Sequence, residues 1–248
     1  IVCSCGAALY FIFKQKKISQ VKNDFINNMT HELKTPLASI SLANASIVHP
    51  EVIHQPEEIK KYSEIIKSEE NRINAHVERV LDMAALDKSE LKLNCQEVHL
   101  NEVLEKAQQN IAMSLKEKAG AFEMHCSIEE AMVAGDEFHL TNVFTNIFDN
   151  SIKYSNDSPR IDVYLSANDK FFLVNVKDKG IGMNAKEQKL AFDRFYRAET
   201  GNVHNRKGFG LGLSYVKGIV ENHNGNVRLK SKVGLGTEIE IQLPKMIS

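Results

Sequence analysis

The sequence predicts an α+β protein in two parts: an N-terminal helical hairpin, then an α+β layer sandwich with one mixed sheet and helices on one face. Two observations carry this. Apolar residues recur every three or four positions over the first third of the chain, which is a helical period. After Asp87-Lys88-Ser89, short β-prone runs alternate with helical ones. Composition bounds the function. The chain has 248 residues, 43% hydrophobic and 25% charged, a globular balance that excludes disorder for the bulk of it. Lys+Arg at 31 against Asp+Glu at 32 leaves no basic excess, so no direct nucleic-acid partner is expected. The 4 Cys, at positions 3, 5, 95 and 126, make no disulfide scaffold and fit a reducing compartment.

Residues 1–13 (IVCSCGAALYFIF) carry no charge, and Lys14, Lys16 and Lys17 follow at once. The chain opens on Ile1 rather than Met, so a piece of a longer protein is expected. The run is shorter than the about 20 residues that span a bilayer. Closed by lysines, it predicts the end of a truncated transmembrane helix entering the cytoplasm. A signal-peptide h-region or a buried helix end is the competing reading, but a signal peptide carries its positive charge before the apolar run. Cys3-Ser-Cys5 has no partner ligands nearby for a metal.

Residues 14–89 predict the hairpin. Val21, Phe25, Met29, Leu33, Leu37 and Ile40 trace one helix from Lys14 to about Ala45. Pro50 and Pro56 bound a turn, since Pro lacks the amide donor and clashes with a continuing helix. Ile59, Tyr62, Ile66, Ile73, Val77, Val80 and Ala84 trace a second helix from about Glu57 to Leu86. A hairpin buries only one of its two apolar stripes against itself, so pairing with a second copy in a four-helix bundle is expected.

Residues 90–248 predict the sandwich. Strands are expected at Glu97–Leu100, Phe122–Cys126, Arg160–Ser166, Lys170–Lys177, Asn226–Lys232 and Glu238–Leu243. Helices are expected at Asn101–Lys118, Asp136–Tyr154 and Leu211–His223. The Gly- and charge-rich stretch from Asp178 to Gly210 reads as a long loop, which in a compact domain is usually functional.

Four constellations bear chemistry. His31-Glu32 sits in the first helix, where a neutral imidazole is a competent nucleophile and a neighbouring carboxylate can take its proton. Such a pair is by itself an ordinary solvated face. Pro36, four residues after Glu32, costs a helix interior roughly 3 kcal/mol and so suggests a wanted bend. Asn146, Asn150 and Lys153 recur at i, i+4 and i+7 on one helix face. Two amides and an ammonium beside Ile147 and Phe148 are costly to bury unless paired, and a phosphate with Mg²⁺ would pair them. An amphipathic helix explains the same face equally well. Asp178-Lys-Gly180-Ile-Gly182-Met183 closes a strand, with glycines for close approach and a carboxylate able to accept from an exocyclic amine. Gly208-Phe-Gly210-Leu-Gly212-Leu-Ser214 opens a helix, whose amide end favours phosphate. Gly234-Leu-Gly236-Thr237 reads as a tight hairpin turn. Each glycine element alone is more often a turn than a nucleotide site.

Together these segments resemble one family, the sensor histidine kinases of two-component systems. FINNMTHELKTPL at 25–37 resembles the phosphoacceptor box and Asn146–Ser155 the N box. Asp178–Met183, AFDRFYR at 191–197, Gly208–Ser214 and Gly234–Thr237 resemble the first glycine, F, second glycine and third glycine boxes, all in the family's order.

The resemblance implies an ATP-binding domain of the GHKL (Bergerat) type behind a dimeric four-helix bundle. It implies that His31 takes the γ-phosphoryl of ATP with Glu32 as base, and that Arg197 stabilises the transferring group. Asn150 would ligate Mg²⁺, with Asn146 and Lys153 near the phosphates. Tyr154 would stack on adenine and Asp178 would bind its amine. Gly180, Gly182, Lys207, Gly208, Phe209, Gly210, Leu211, Gly212 and Thr237 would line the nucleotide, and residues 184–210 would cover it. The phosphoryl would pass to an aspartate on a response regulator receiver domain, and Thr35 would support dephosphorylation of that regulator. Localisation at the inner membrane, with the catalytic region in the cytoplasm, is implied as well. The alternatives are a GHKL-fold ATPase, as in DNA gyrase, Hsp90 or MutL, and a degenerate kinase acting as scaffold or phosphatase.

Overall fold

The computed structural model describes residues 15–16, 23, 26–27, 29–30, 33–87, 91–155, 158–196 and 210–246, which fall into a helical unit and an α/β unit. The apolar segment 1–13 lies outside the described residues. Among those described, no helix is long and apolar enough to cross a membrane.

In the helical unit, helix α1 runs unbroken over 33–47, through the buried Pro36. A turn follows, in which the amides of Val52 and Ile53 both donate to the carbonyl of His49. Helix α2, Pro56–Asp87, begins on a proline with Glu57 and Glu58 in its first turn. Proline there gives up a donor the helix start could not use, and the acids complement the positive end of the helix dipole. Ala43 is buried, whereas Leu37, Leu42, Val77 and Leu81 are 53%, 71%, 46% and 62% exposed. Leu37 and Val77 belong to the two apolar stripes expected from the sequence, whereas Leu42 and Leu81 lie off them, so a single chain leaves apolar side chains of both helices uncovered.

The α/β unit comprises β1 (Gln96–His99), α3 (Leu100–Glu117), β2 (Ala121–Cys126), β3 (Met132–Gly135), α4 (Glu137–Lys153), β4 (Arg160–Ala167), β5 (Phe171–Asp178), α5 (Ala185–Leu190), α6 (Gly212–Asn222), β6 (Asn226–Lys232) and β7 (Gly236–Pro244). Five strands form one sheet in the order β2-β4-β5-β7-β6, with β2 parallel to β4 and the remaining pairs antiparallel. Strands alternate faces, so Ile161, Val163, Leu165, Val174, Val176, Ile239, Ile241 and Leu243 bury on one side. Helices α4 and α6 pack there, and α3 packs on α4. Phe144, Ile147 and Phe148 of α4 fill the interior, with Phe122 of β2 edge-on to Phe148 at 5.1 Å.

The expectation of one mixed sheet is corrected. Among the described residues, strands β1 and β3 pair only with each other, antiparallel, as a second small sheet. Two elements were not foreseen, β3 and α5. Strand β3, Met132-Val-Ala-Gly135, shows no polar–apolar alternation and ends on two poor strand formers. Helix α5 spans six residues inside the stretch expected to be loop, and a capping box starts it: Asn184 accepts from the amides of Lys186 and Glu187, and Glu187 accepts from that of Asn184.

Candidate functional site

Four elements of the α/β unit converge: the end of β5, the second half of α4, the start of α6 and the β6–β7 turn. Asp178 is the last residue of β5. The β5–β7 register sets Lys177 opposite Glu238, which brings Thr237 beside Asp178. Oδ1 of Asp178 accepts from the amide of Gly180 at 2.8 Å and from that of Thr237 at 3.0 Å. Oδ2 accepts only from the Ser151 hydroxyl, at 3.3 Å, among the described bonds. Burial pushes the Asp178 carboxyl above its usual range, while the bonds from Gly180, Thr237 and Ser151 pull it back.

The glycines around Asp178 occupy places that exclude a side chain. A Cβ on Gly180 would lie 2.8 Å from the Tyr154 carbonyl and 2.9 Å from Asp178 Oδ1. The same carbonyl accepts from the Ile181 amide at 3.0 Å, which seats the loop after β5 on the end of α4. Gly182 has φ +67°, and a Cβ there would overlap the carbonyl of Lys232.

A polar network joins this floor to α5. The Ser231 hydroxyl accepts from the Met183 amide at 2.8 Å and lies 3.0 Å from Thr237 Oγ1. Gln188 accepts from the Ser231 amide at 3.2 Å and donates to the carbonyls of Ser231 and Met183. That side chain pairs with β6 as a neighbouring strand would.

On α4, Asn146 is 8% exposed and donates to the Asn142 carbonyl at 2.8 Å. Gly212, the first residue of α6, faces it. A Cβ on Gly212 would lie 3.4 Å from Asn146 Oδ1 and 3.6 Å from Asn150 Nδ2. The two asparagines thus sit at the N-terminal, electropositive end of α6. Lys153 places its ammonium 5.6 Å from the centre of the Tyr154 ring. Gly210 has φ +70°, and Leu211 is buried just ahead of α6. The arrangement offers a recessed carboxylate oxygen, two carboxamides and a helix N-terminus within one region. These donors and acceptors suit a purine amine at one end and a phosphate–Mg²⁺ group at the other.

The structure therefore brings together Asn146, Asn150, Lys153, Tyr154, Asp178, Gly180, Gly182, Gly212 and Thr237. Thr35 is exposed on α1, in an open hollow with Lys34, Ala38, Ser39 and Leu42. His31, Glu32, Arg197, Lys207, Gly208 and Phe209 lie outside the described residues. Three contributors were missed by sequence reasoning: Ser151, Ser231 and Gln188. A signal existed for Ser151 alone, a hydroxyl on the buried side of α4 next to Asn150. Among the described residues one further group, Glu123, His125 and Asp162, could offer metal ligands; it is largely exposed, on the sheet face away from the helices.

Comparison with known proteins accords with this geometry. Residues 21–89 match the His Kinase A (phospho-acceptor) domain. Residues 135–247 match the family described as Histidine kinase-, DNA gyrase B-, and HSP90-like ATPase. Sensor protein RprX of Bacteroides fragilis (strain YCH46) is 38% identical over 240 residues, covering 95% of this chain and 46% of that protein. The chain thus spans less than half the length of that curated relative. Among solved structures, the mycobacterial sensor histidine kinase MprB is 28% identical with a TM-score of 0.52, over 61% of this chain and 97% of that one. Histidine kinase ThkA in complex with response regulator protein TrrA shares the fold at 21% identity and a TM-score of 0.57, over 88% of this chain and 60% of that one. With a phospho-acceptor domain followed by an ATPase domain of this type, the chain belongs to the sensor histidine kinases of two-component systems.

Proposed function

We propose that this chain catalyses its own phosphorylation by ATP on His31 and passes the phosphoryl group to an aspartate on a response regulator receiver domain. The observation that carries the reading is the pairing of a phospho-acceptor domain with the Asp178–Asn146–Asn150–Gly212 arrangement. In the first step a His31 nitrogen attacks the γ-phosphorus. The N–P bond forms, the bond to the β–γ bridging oxygen breaks, ADP leaves and Glu32 takes the imidazole proton. Asp178 orients adenine through its amine, and Tyr154 stacks on the base. Asn146 and Lys153 attend the phosphates, Lys207 lines the nucleotide, and Arg197 stabilises the transferring group. Asn150 would hold Mg²⁺, which offsets phosphate charge. In the second step a receiver carboxylate displaces the histidine, and the imidazole leaves neutral after regaining a proton.

A homodimer belongs to the same proposal, supported by the exposed apolar side chains of Leu37, Leu42, Val77 and Leu81 on the two helices. The receiver partner is supported by the likeness to ThkA, a histidine kinase solved in complex with a response regulator. Attachment to the inner membrane through residues 1–13 is supported by an uncharged run closed by lysines. Regulator dephosphorylation assisted by Thr35 completes the reading.

The test is incubation with γ-labelled ATP, followed by addition of receiver domains. A kinase takes up label that is acid-labile and base-stable, then loses it to a receiver. An ATPase releases labelled phosphate without retaining it, and a scaffold does neither.

A further inference from the structure

Asp178 presents two unequal oxygens. Oδ1 has two lone-pair positions, and the amides of Gly180 and Thr237 occupy both. Any further donor, a base amine included, must therefore meet Oδ2. Among the described bonds Oδ2 has one partner, the Ser151 hydroxyl at 3.3 Å. Ser151 is 3% exposed and sits on α4 directly after Asn150. Its hydroxyl is also 3.1 Å from the Ile147 carbonyl one turn back. A hydroxyl has a single proton, and an ionised acceptor draws it more strongly than a neutral carbonyl.

We infer that Ser151 is a positioning residue for base recognition: its hydroxyl takes one lone pair of Asp178 Oδ2 and leaves the other aimed at a purine 6-amino group. The inference rests on the nucleotide reading above and deepens it, since it says how this chain tells adenine from a 6-oxo purine. Two backbone amides anchor one end of the carboxylate, and a side chain of α4 anchors the other. With both ends held, Oδ2 offers acceptor capacity only. A 6-amino group donates to it, whereas a 6-oxo group meets lone pair against lone pair. Without the hydroxyl, the carboxylate is held at Oδ1 alone and can rotate Oδ2 away or take up water.

Ser151→Ala removes one buried oxygen, leaves the Ile147 carbonyl in its helical bond and raises helix propensity, so the variant folds. The experiment measures affinity of the whole chain for ATP and for inosine triphosphate, both with Mg²⁺, in the parent and in Ser151→Ala. The expected result is an ATP affinity reduced about fivefold or more, with inosine triphosphate affinity within about twofold, so the ratio between the nucleotides collapses. A merely structural serine would weaken both nucleotides alike, and that outcome overturns the inference, as does a variant that binds ATP like the parent. A parent chain that binds neither nucleotide overturns the nucleotide reading itself, and this inference with it.

Discussion

The backbone amide of Thr237 donates to Oδ1 of Asp178 at 3.0 Å, across 59 residues of sequence. This bond joins the end of β5 to the start of β7, and the residue before Thr237 shows how close the two strands come. Gly236 has φ +100°, and a Cβ on it would overlap the Asp178 carbonyl oxygen. The site floor is therefore built from backbone that admits no side chain, with one carboxylate aimed over it.

That packing predicts unequal glycines. Gly234 also has a positive φ, +77°, but no atom lies within 4 Å of a Cβ built there. Gly234→Ala bears only the left-handed backbone strain, about 1 kcal/mol. Gly236→Ala, at φ +100°, bears positive-φ strain plus the clash, and falls among the exceptional destabilisations of about 4 kcal/mol or more. Urea unfolding of both variants measures the difference, and equal midpoints would refute the packing account.

Asp178 should trade stability for binding. Burial raises its carboxyl above 3.8, so near neutral pH the folded state holds a carboxylate that the unfolded chain solvates better. As pH falls through the raised folded value towards 3.8, the folded state takes up the proton first and stability from this group rises. Asp178→Asn keeps an acceptor for both amides and removes the charge. Its melting temperature at pH 7 should equal or exceed that of the parent, and the gap should shrink as pH falls. Its ATP affinity should drop about tenfold, the loss of one charge-assisted bond. A melting point several degrees below the parent at pH 7 contradicts this.

His223 gives the opposite pH dependence. Burial lowers its basicity. Its Nε2 accepts from the Asp136 amide at 2.9 Å, and its Nδ1 donates to the Ile219 carbonyl at 2.8 Å. The first of these needs the neutral ring, whereas the second persists on protonation. Stability from His223 is complete above 6.5 and is lost as pH falls from there towards the lower folded value. His223→Leu strands the Asp136 amide, which should cost about 1–3 kcal/mol at pH 7. It should also flatten the fall in melting temperature between about pH 6.5 and 5, and an unchanged slope would count against the tautomer assigned.

Much of this arrangement was legible in sequence. The period-two runs at 160–166 and 170–177 located β4 and β5 to within a residue or two, because one buried face forces alternation. The helical face of Asn146, Asn150 and Lys153 stood out because polar groups beside Ile147 and Phe148 need a reason. Strand β3 did not, since Met132-Val-Ala-Gly135 shows no polar–apolar alternation, ends on two poor strand formers, and pairs with a β1 far back in the chain. Helix α5 carried a readable capping box at Asn184 and Glu187, hidden by the charge-rich stretch around it. Ser151 offered a signal, a hydroxyl next to Asn150 on the buried side of α4, but its partner Asp178 is distant in sequence and the bond between them was not legible. Gln188 had no signal at all, for an exposed-looking glutamine on a short helix resembles any other.

Thr35 should separate two activities. It is exposed on α1 and follows His31 by four residues in the sequence, the spacing of one helical turn. Thr35→Ala removes the hydroxyl with little change in helix propensity. Autophosphorylation should stay within a few-fold of the parent, while dephosphorylation of a phosphorylated receiver slows about tenfold, or 1.4 kcal/mol of barrier. Equal loss of both activities would assign Thr35 a structural role in the helix beside Pro36 instead.

The central claim is that His31 receives the phosphoryl group. The most direct measurement is γ-labelled ATP added to the parent and to His31→Gln, with ATP binding checked in both. The account predicts acid-labile, base-stable label on the parent and none on His31→Gln, although both bind ATP equally. Label persisting on His31→Gln, on any residue, would contradict it, as would a parent that binds ATP with Mg²⁺ and never becomes labelled.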